Sequence, residues 1–196
     1  MVAGPIDMNN GMFDLRQGHT TRVDESQPVP STLVSEAART LIAFSGVTIL
    51  PDIPEYYRKY PALLNFLSAQ KMPWKESRTL AGEIGEYIVM MRETEDAYLV
   101  GAATNESGRT IDLPLSFLEK GKYTVEVIED GDDAHYLTNR ESLKVTTWQL
   151  TNNDKLALKL APGGGACLVI KKTPSMRVGE QAAFPLVSPS WKIGRE

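Results

Sequence analysis

The sequence predicts a mainly β chain with an N-terminal helical part: an antiparallel β-sandwich of about eight strands, approached through helices. Three observations predict it. From Trp74 onward, short apolar runs recur at intervals of roughly 8–12 residues with turn-forming clusters between them. Several of these runs alternate apolar with polar residues, as a half-buried strand requires; Tyr123, Val125 and Val127 alternate with Thr124 and Glu126, and Leu156, Leu158 and Leu160 with Ala157 and Lys159. Before Trp74 the apolar residues recur at helical spacing instead.

Taken in order, residues 2–6 (VAGPI) are small and apolar, and the character switches abruptly at Asp7-Met8-Asn9-Asn10-Gly11. This predicts a short buried strand ending in a polar loop. Residues 14–31 are polar and carry no period, which predicts a long loop. Ser31 or Thr32 then caps a helix over 33–45, with Glu36 in its first turn. Leu33, Val34, Ala37, Ala38, Leu41, Ile42 and Ser45 give it one wide apolar face, and Gly46 and Pro51 end it. That face needs a partner, either the sandwich or another chain, so self-association through the helix at 33–45 is one expectation. Two shorter helices follow near 54–60 and 61–69, the second opening on Pro61.

Strands are predicted at 74–81, 86–93, 97–104, 109–113, 122–129, 141–148, 155–161 and 166–172. Turn signals separate them, among them Asn105-Glu106-Ser107-Gly108, Asn152-Asn153-Asp154 and Pro162-Gly163-Gly164-Gly165. The tail, 174–196, holds Pro174, Pro185 and Pro189 without a period and reads as an extended strap. The chain divides near residue 72.

Composition excludes several roles. A net charge of -4 argues against nucleic acid as a partner, because phosphate binding needs clustered Lys and Arg. No apolar stretch is long enough to span a membrane. The N-terminus lacks the basic segment and apolar core of a signal peptide. Cys167 is the only cysteine, so no intrachain disulfide forms, and with two distant histidines a structural zinc site is not expected.

Few residues suggest chemistry. Asp7, at the end of the first apolar run, would contact a substrate together with Asn9 and Asn10 if residues 2–6 are a barrel strand; the plainer alternative is that all three cap the strand and shape its turn. Asp14 with Asp24 and Glu25 does not match a calcium loop and reads as solvated. His19 has no visible orienting partner, which favours a surface role. Asp130, Asp132 and Asp133 read as a solvated hairpin turn, and Cys167, in an apolar strand, as buried and inert. Trp74, Tyr87, Tyr98, Tyr123, Tyr136 and Trp148 are spread over different strands, most of them in or near the core, with no planar platform. No residue is assigned as catalytic or as a metal ligand.

Three stretches, in order, carry a resemblance. The first is Val2-Ala3-Gly4-Pro5-Ile6-Asp7 with Met8-Asn9-Asn10-Gly11. The second comprises Ser35-Glu36-Ala37-Ala38, Phe44-Ser45-Gly46 and Asp52-Ile53-Pro54-Glu55-Tyr56-Tyr57. The third starts at Pro73-Trp74-Lys75-Glu76-Ser77-Arg78-Thr79-Leu80 and runs through Gly82-Glu83-Ile84-Gly85-Glu86-Tyr87, Tyr98-Leu99-Val100-Gly101 and Gly121-Lys122-Tyr123. Together they resemble the C-terminal end of the family-97 glycoside hydrolases, which are α-glucosidases and α-galactosidases. The resemblance implies that residues 1–72 are the end of a catalytic (β/α)8 barrel: its last strand, a loop, the last helix and a helical link. Residues 73–173 would be the C-terminal antiparallel sandwich, and 174–196 a tail. It implies an intact enzyme acting on α-linked glucosides or galactosides, periplasmic or secreted, with a bound calcium ion. It also implies that the catalytic carboxylates lie upstream of this chain, which alone would be inactive. The alternative is a non-catalytic carbohydrate-binding β-sandwich module, which would require an exposed aromatic platform; a structural domain with no ligand is a third.

Overall fold

Ten residues make a marginal helix in isolation, so the first described helix depends on what it packs against. The structure, a computed structural model, describes residues 8–15, 29–45 and 48–173. Helix α1 (Leu33–Ile42) is capped at its N-terminus by Thr32, whose hydroxyl accepts from the Ser35 amide at 3.2 Å. Leu33, Val34, Ala37, Ala38 and Leu41 are all fully buried. Burying Val and Leu side chains contributes about 1.5–3 kcal/mol each, which outweighs the weak intrinsic helicity. Two short helices follow, α2 (Pro54–Lys59) and α3 (Pro61–Ser68), each opening on the proline that the sequence places at a first helical position.

All eight predicted strands are present: β1 (Glu76–Glu83), β2 (Tyr87–Glu93), β3 (Tyr98–Thr104), β4 (Arg109–Pro114), β5 (Lys122–Asp130), β6 (Leu143–Thr151), β7 (Lys155–Leu160) and β8 (Gly165–Lys172). They do not divide into two equal sheets. Six form one antiparallel sheet in the order β1-β2-β3-β8-β5-β6, and β4 pairs with β7 in a separate two-stranded ribbon. The ribbon covers one face of the large sheet and the helices cover the other.

Alternation along each strand assigns its residues to the two cores. Val89, Met91, Val100, Ala102, Tyr123, Val125, Leu168 and Ile170 meet Ile111, Leu113, Leu158 and Leu160 of the ribbon. Leu99, Ile128 and Cys167 face the other way and join Phe13, the apolar face of α1, Tyr57, Leu63 and Phe66. The central strands β3 and β8 are therefore buried on both faces, as their uninterrupted apolar runs imply. The ribbon is one-sided, with Thr110, Asp112 and Lys159 exposed between its buried residues.

Small residues let α1 lie close against the sheet. A methyl group built on Gly101 would stand 2.8 Å from the Ala38 carbonyl oxygen, and one on Gly165 2.7 Å from Ser35 Cα. The helix is also held at both ends by groups from the β part. Its first amides donate outward, Thr32 to the Gly163 carbonyl and Leu33 to the Arg140 carbonyl. At its C-terminus the buried Arg92 of β2 donates to the carbonyls of Leu41 (3.2 Å) and Ile42 (3.0 Å) and stacks over Trp74 at 4.5 Å. A cation on helix-terminal carbonyls is favoured by charge as well as by hydrogen bonding.

Two expectations change and one alternative is chosen. The helix ends at Ile42, short of Ser45, because Ala43 turns to an extended backbone. Its apolar face is covered by the chain's own sheet, one of the two partners expected for it, while Phe44 just beyond it stays exposed. Trp148 is 51 % exposed on the edge strand β6, because the ribbon is only two strands wide and does not reach it. The predicted strand at 2–6 and the tail, with Asp7, His19, Asp24 and Glu25, lie outside the described residues.

Candidate functional site

Of the residues expected to contact a substrate, Asn9 and Asn10 lie in the described segment 8–15, and the structure shows what fixes that segment. Gly11 has φ +94, a left-handed conformation, and a side chain there would meet Thr40 Cγ2 at 2.9 Å, so glycine is required on both counts. The amides of Gly11 and Met12 donate to Glu36 Oε2 of α1, at 3.2 and 3.4 Å. Those of Phe13 and Asp14 donate to Asp52 Oδ2. Tyr57 joins the two sides: its hydroxyl donates to the Gly11 carbonyl at 3.1 Å and accepts from the Asp52 amide at 3.0 Å. Burial pushes the Tyr57 hydroxyl up to about 12, and the Asp52 and Glu36 carboxylates add to the rise. The Phe13 ring packs on Tyr57 at 4.9 Å, and Arg140 donates to the Leu15 carbonyl at 2.9 Å.

Glu36 and Asp52 thus serve the main chain. A carboxylate that accepts two backbone amides, buried as Glu36 is or half-buried as Asp52 is, is stabilised in place, and its hydrogen-bonding oxygen is committed to the loop. Asn9 is exposed and Asn10 half-buried beside this pinned segment; Asp14 is buried. Sequence reasoning placed Glu36 only as a favourable charge in a first turn and missed Asp52 and Tyr57. The available signal was a carboxylate between Leu33 and Ala37 on a helix buried nearly all round, which needs a partner.

Glycoside hydrolysis needs an acid of raised pKa beside a second carboxylate. Asp130 is pushed up to about 6, first by burial, against the pull of the Thr32 hydroxyl and the Ala161 and Gly165 amides. It is 3 % exposed, and its Oδ2 accepts from those two amides at 3.0 and 2.7 Å. This corrects the expectation of a solvated turn at Asp130: its carboxylate fastens the β7–β8 turn beneath the start of α1. Asp132 and Asp133 do stand in solvent, paired with Lys159 (2.7 Å) and with Ser142 and Asn139. Cys167 is buried beside the Val34 carbonyl, and burial holds its thiol well above the ordinary range.

A groove of about 560 Å³ lies between α3 and the sheet, bordered by Asn65, Lys71, Asp96, Glu126 and Lys171, and no aromatic ring lines it. Among the described residues, no group of three or more His, Cys, Asp or Glu side chains is arranged to hold a metal ion. No described helix is long and apolar enough to cross a membrane.

Comparison with known proteins gives this arrangement a context. Residues 73–171 match the family described as glycosyl-hydrolase 97 C-terminal, oligomerisation. A retaining alpha-galactosidase of Bacteroides thetaiotaomicron is 32 % identical over 171 residues, covering 87 % of this chain and 26 % of that protein. A probable retaining alpha-galactosidase of Streptomyces bingchenggensis is 27 % identical over 132 residues, 67 % of this chain and 19 % of that one. Among solved structures, a glycoside hydrolase family 97 enzyme from Pseudoalteromonas sp. strain K8, in complex with acarbose, superposes with a TM-score of 0.79 at 30 % identity. That superposition covers 88 % of this chain and 27 % of the enzyme. The chain thus spans between about a fifth and about a quarter of the length of these relatives, and the similarity extends well upstream of residue 73.

Proposed function

The chain belongs to glycoside hydrolase family 97 and carries that family's C-terminal domain, and from this we propose that it is the closing part of an α-glycosidase acting on α-galactosides. In this reading residues 1–72 are the end of the catalytic barrel, and 73–173 are the sandwich that supports it and mediates oligomerisation. One observation carries the proposal most strongly. The helix α1 and loop 8–15 share a core and a hydrogen-bond network with the sandwich, as parts of a single supporting body would. The two alpha-galactosidases similar to the chain supply the substrate class. Asp7, Asn9 and Asn10 would stand at the barrel mouth, where barrel active sites lie. Calcium, which the resemblance implies for the intact enzyme, would be held by residues outside those described here.

The carbohydrate-binding alternative draws no support from the surface. Among the described residues the exposed aromatic rings are Phe44 and Trp148; Phe44 leans on Trp74 at 5.6 Å. Two rings on different elements make no platform.

The test is an assay of the purified chain with aryl α-galactosides and α-glucosides. The expected result is release of the aryl group at the buffer rate. Turnover that disappears when an Asp or Glu of this chain is replaced would overturn the proposal.

A further inference from the structure

Among the described residues the large sheet ends on β1 at one side and on β6 at the other, and the two edges differ in kind. A free edge is a template for pairing, and proteins block unwanted pairing with charges, bulges or proline. Strand β1 has such defences: Glu76, Arg78 and Glu83 along its length, and a bulge between Thr79 and Ala81. The ribbon strands carry them too, with Arg109, Asp112 and Pro114 on β4 and Lys155 and Lys159 on β7.

Strand β6 has almost none. It runs nine residues in unbroken register against β5, with Lys144 as its only charge and no proline. Among the described residues it is also half-exposed on both faces at its middle. Val145, which pairs with Ile128, points to the helix side and is 42 % exposed; Trp148, which pairs with Val125, points to the ribbon side. Among the described residues neither covering layer buries these two side chains. An exposed, regular edge with a single charge, flanked by two half-exposed apolar side chains, calls for another strand.

The chain itself can supply that strand. Centred on Thr147, an antiparallel self-pairing sets Thr147 opposite its own copy, Thr146 opposite Trp148, Val145 opposite Gln149 and Lys144 opposite Leu150. No charge meets its like. The two Trp148 rings fall on one face as diagonal neighbours, within reach of each other, and the Thr–Thr pair is among the favourable cross-strand pairs. We propose that β6 is the self-association edge, through which two copies of this chain join their sheets into one twelve-stranded sheet about a two-fold axis at Thr147. The proposal rests on the oligomerisation role of the domain and assigns that role a surface, a register and a partner.

Sedimentation velocity on the full 196-residue chain, over a wide concentration series, tests it. The expected result is a two-chain mass. Trp148→Lys, which sets like charges on diagonal positions across the axis, should weaken association on the order of 100-fold. Val145→Lys, which puts a charge on the bare edge opposite Gln149, should weaken it as charges do on the other edges. No core uses either position. The circular dichroism spectrum should stay unchanged. Thr79→Lys on the β1 edge should leave the two-chain species intact. Thr147→Cys should cross-link into a covalent pair under mild oxidation, the native Cys167 being buried. A wild-type chain of single mass at every concentration overturns both the edge and the oligomerisation reading. A two-chain species that survives both lysines, or in which the Thr147→Cys chain never cross-links, overturns the β6 edge and leaves the broader reading standing.

Discussion

Replacing Gly165 by valine lowers the stability of the chain by at least ~3 kcal/mol and loosens α1 from the sheet. Cβ at this position would lie 2.6 Å from the Ala102 carbonyl oxygen, 2.7 Å from Ser35 Cα and 3.0 Å from Ser35 N. All three obstacles are backbone, one in the neighbouring strand and two in the first turn of the helix. No side chain can swing aside, so either the strand pair or the helix must move. Overpacking a core costs about 1–3 kcal/mol when neighbours can adjust; here they cannot, and valine adds two further methyl groups. Gly121→Ala is the control. Its nearest obstacle is the far end of the flexible Lys172 side chain, at 3.2 Å, and little change is expected. Chemical denaturation of both variants, read by circular dichroism, checks the contrast. Equal, small losses would mean that the close approach of α1 is not a constraint.

The second large effect is a dependence on pH that one residue controls. Burial raises the Asp130 carboxyl to about 6, above the ordinary aspartate value of 3.8. The folded chain therefore holds this proton more tightly than the unfolded chain does. The resulting stabilisation is fully present below about pH 4 and is lost as the pH rises through about 6, a swing of about 3 kcal/mol at most for a shift of this size. Neutral Asp130→Asn cannot titrate. Relative to wild type it should gain about 3 kcal/mol between pH 4 and pH 8, whatever constant offset the buried amide introduces. The exposed carboxylates Asp132, Asp133 and Asp154, all held below the ordinary range by their hydrogen-bond partners, remain in both proteins and cancel from the difference. Stability curves for the two proteins that run parallel across this range would contradict the burial argument.

The extent to which such features are legible in the sequence differs from element to element. The eight strands are visible because local signals define them: alternation, and turns rich in Gly, Asn and Asp. The burial of β3 and β8 on both faces is visible in Tyr98–Thr104 and Gly165–Lys172, where the apolar run does not alternate. The strand order is not visible. Hairpins join β1 to β2, β2 to β3 and β5 to β6, but inserting β8 between β3 and β5, and withdrawing β4 and β7 into a ribbon, depends on contacts distant in sequence. Closing such loops leaves no local signature.

The site residues show a similar division. Asp130 was readable in principle: along β5 it shares a face with Ile128, which points it into the helix-side core, yet the surrounding acidic residues suggest solvent. Asp52 and Tyr57 were not readable, because their partners are main-chain groups of a loop some forty residues away. The exposure of Trp148 depends on the width of the opposite ribbon, which no local pattern encodes.

The central claim is that the helical N-terminal part and the sandwich form a single supporting body. Hydrogen exchange on the full chain tests it most directly. The account predicts that the amides of α1 and those of β3 and β8 exchange together, with the same opening free energy and the same denaturant dependence, because they share one core and one cooperative unfolding. Amides of α1 that exchange through a separate low-energy opening, while β3 and β8 stay protected, would contradict it.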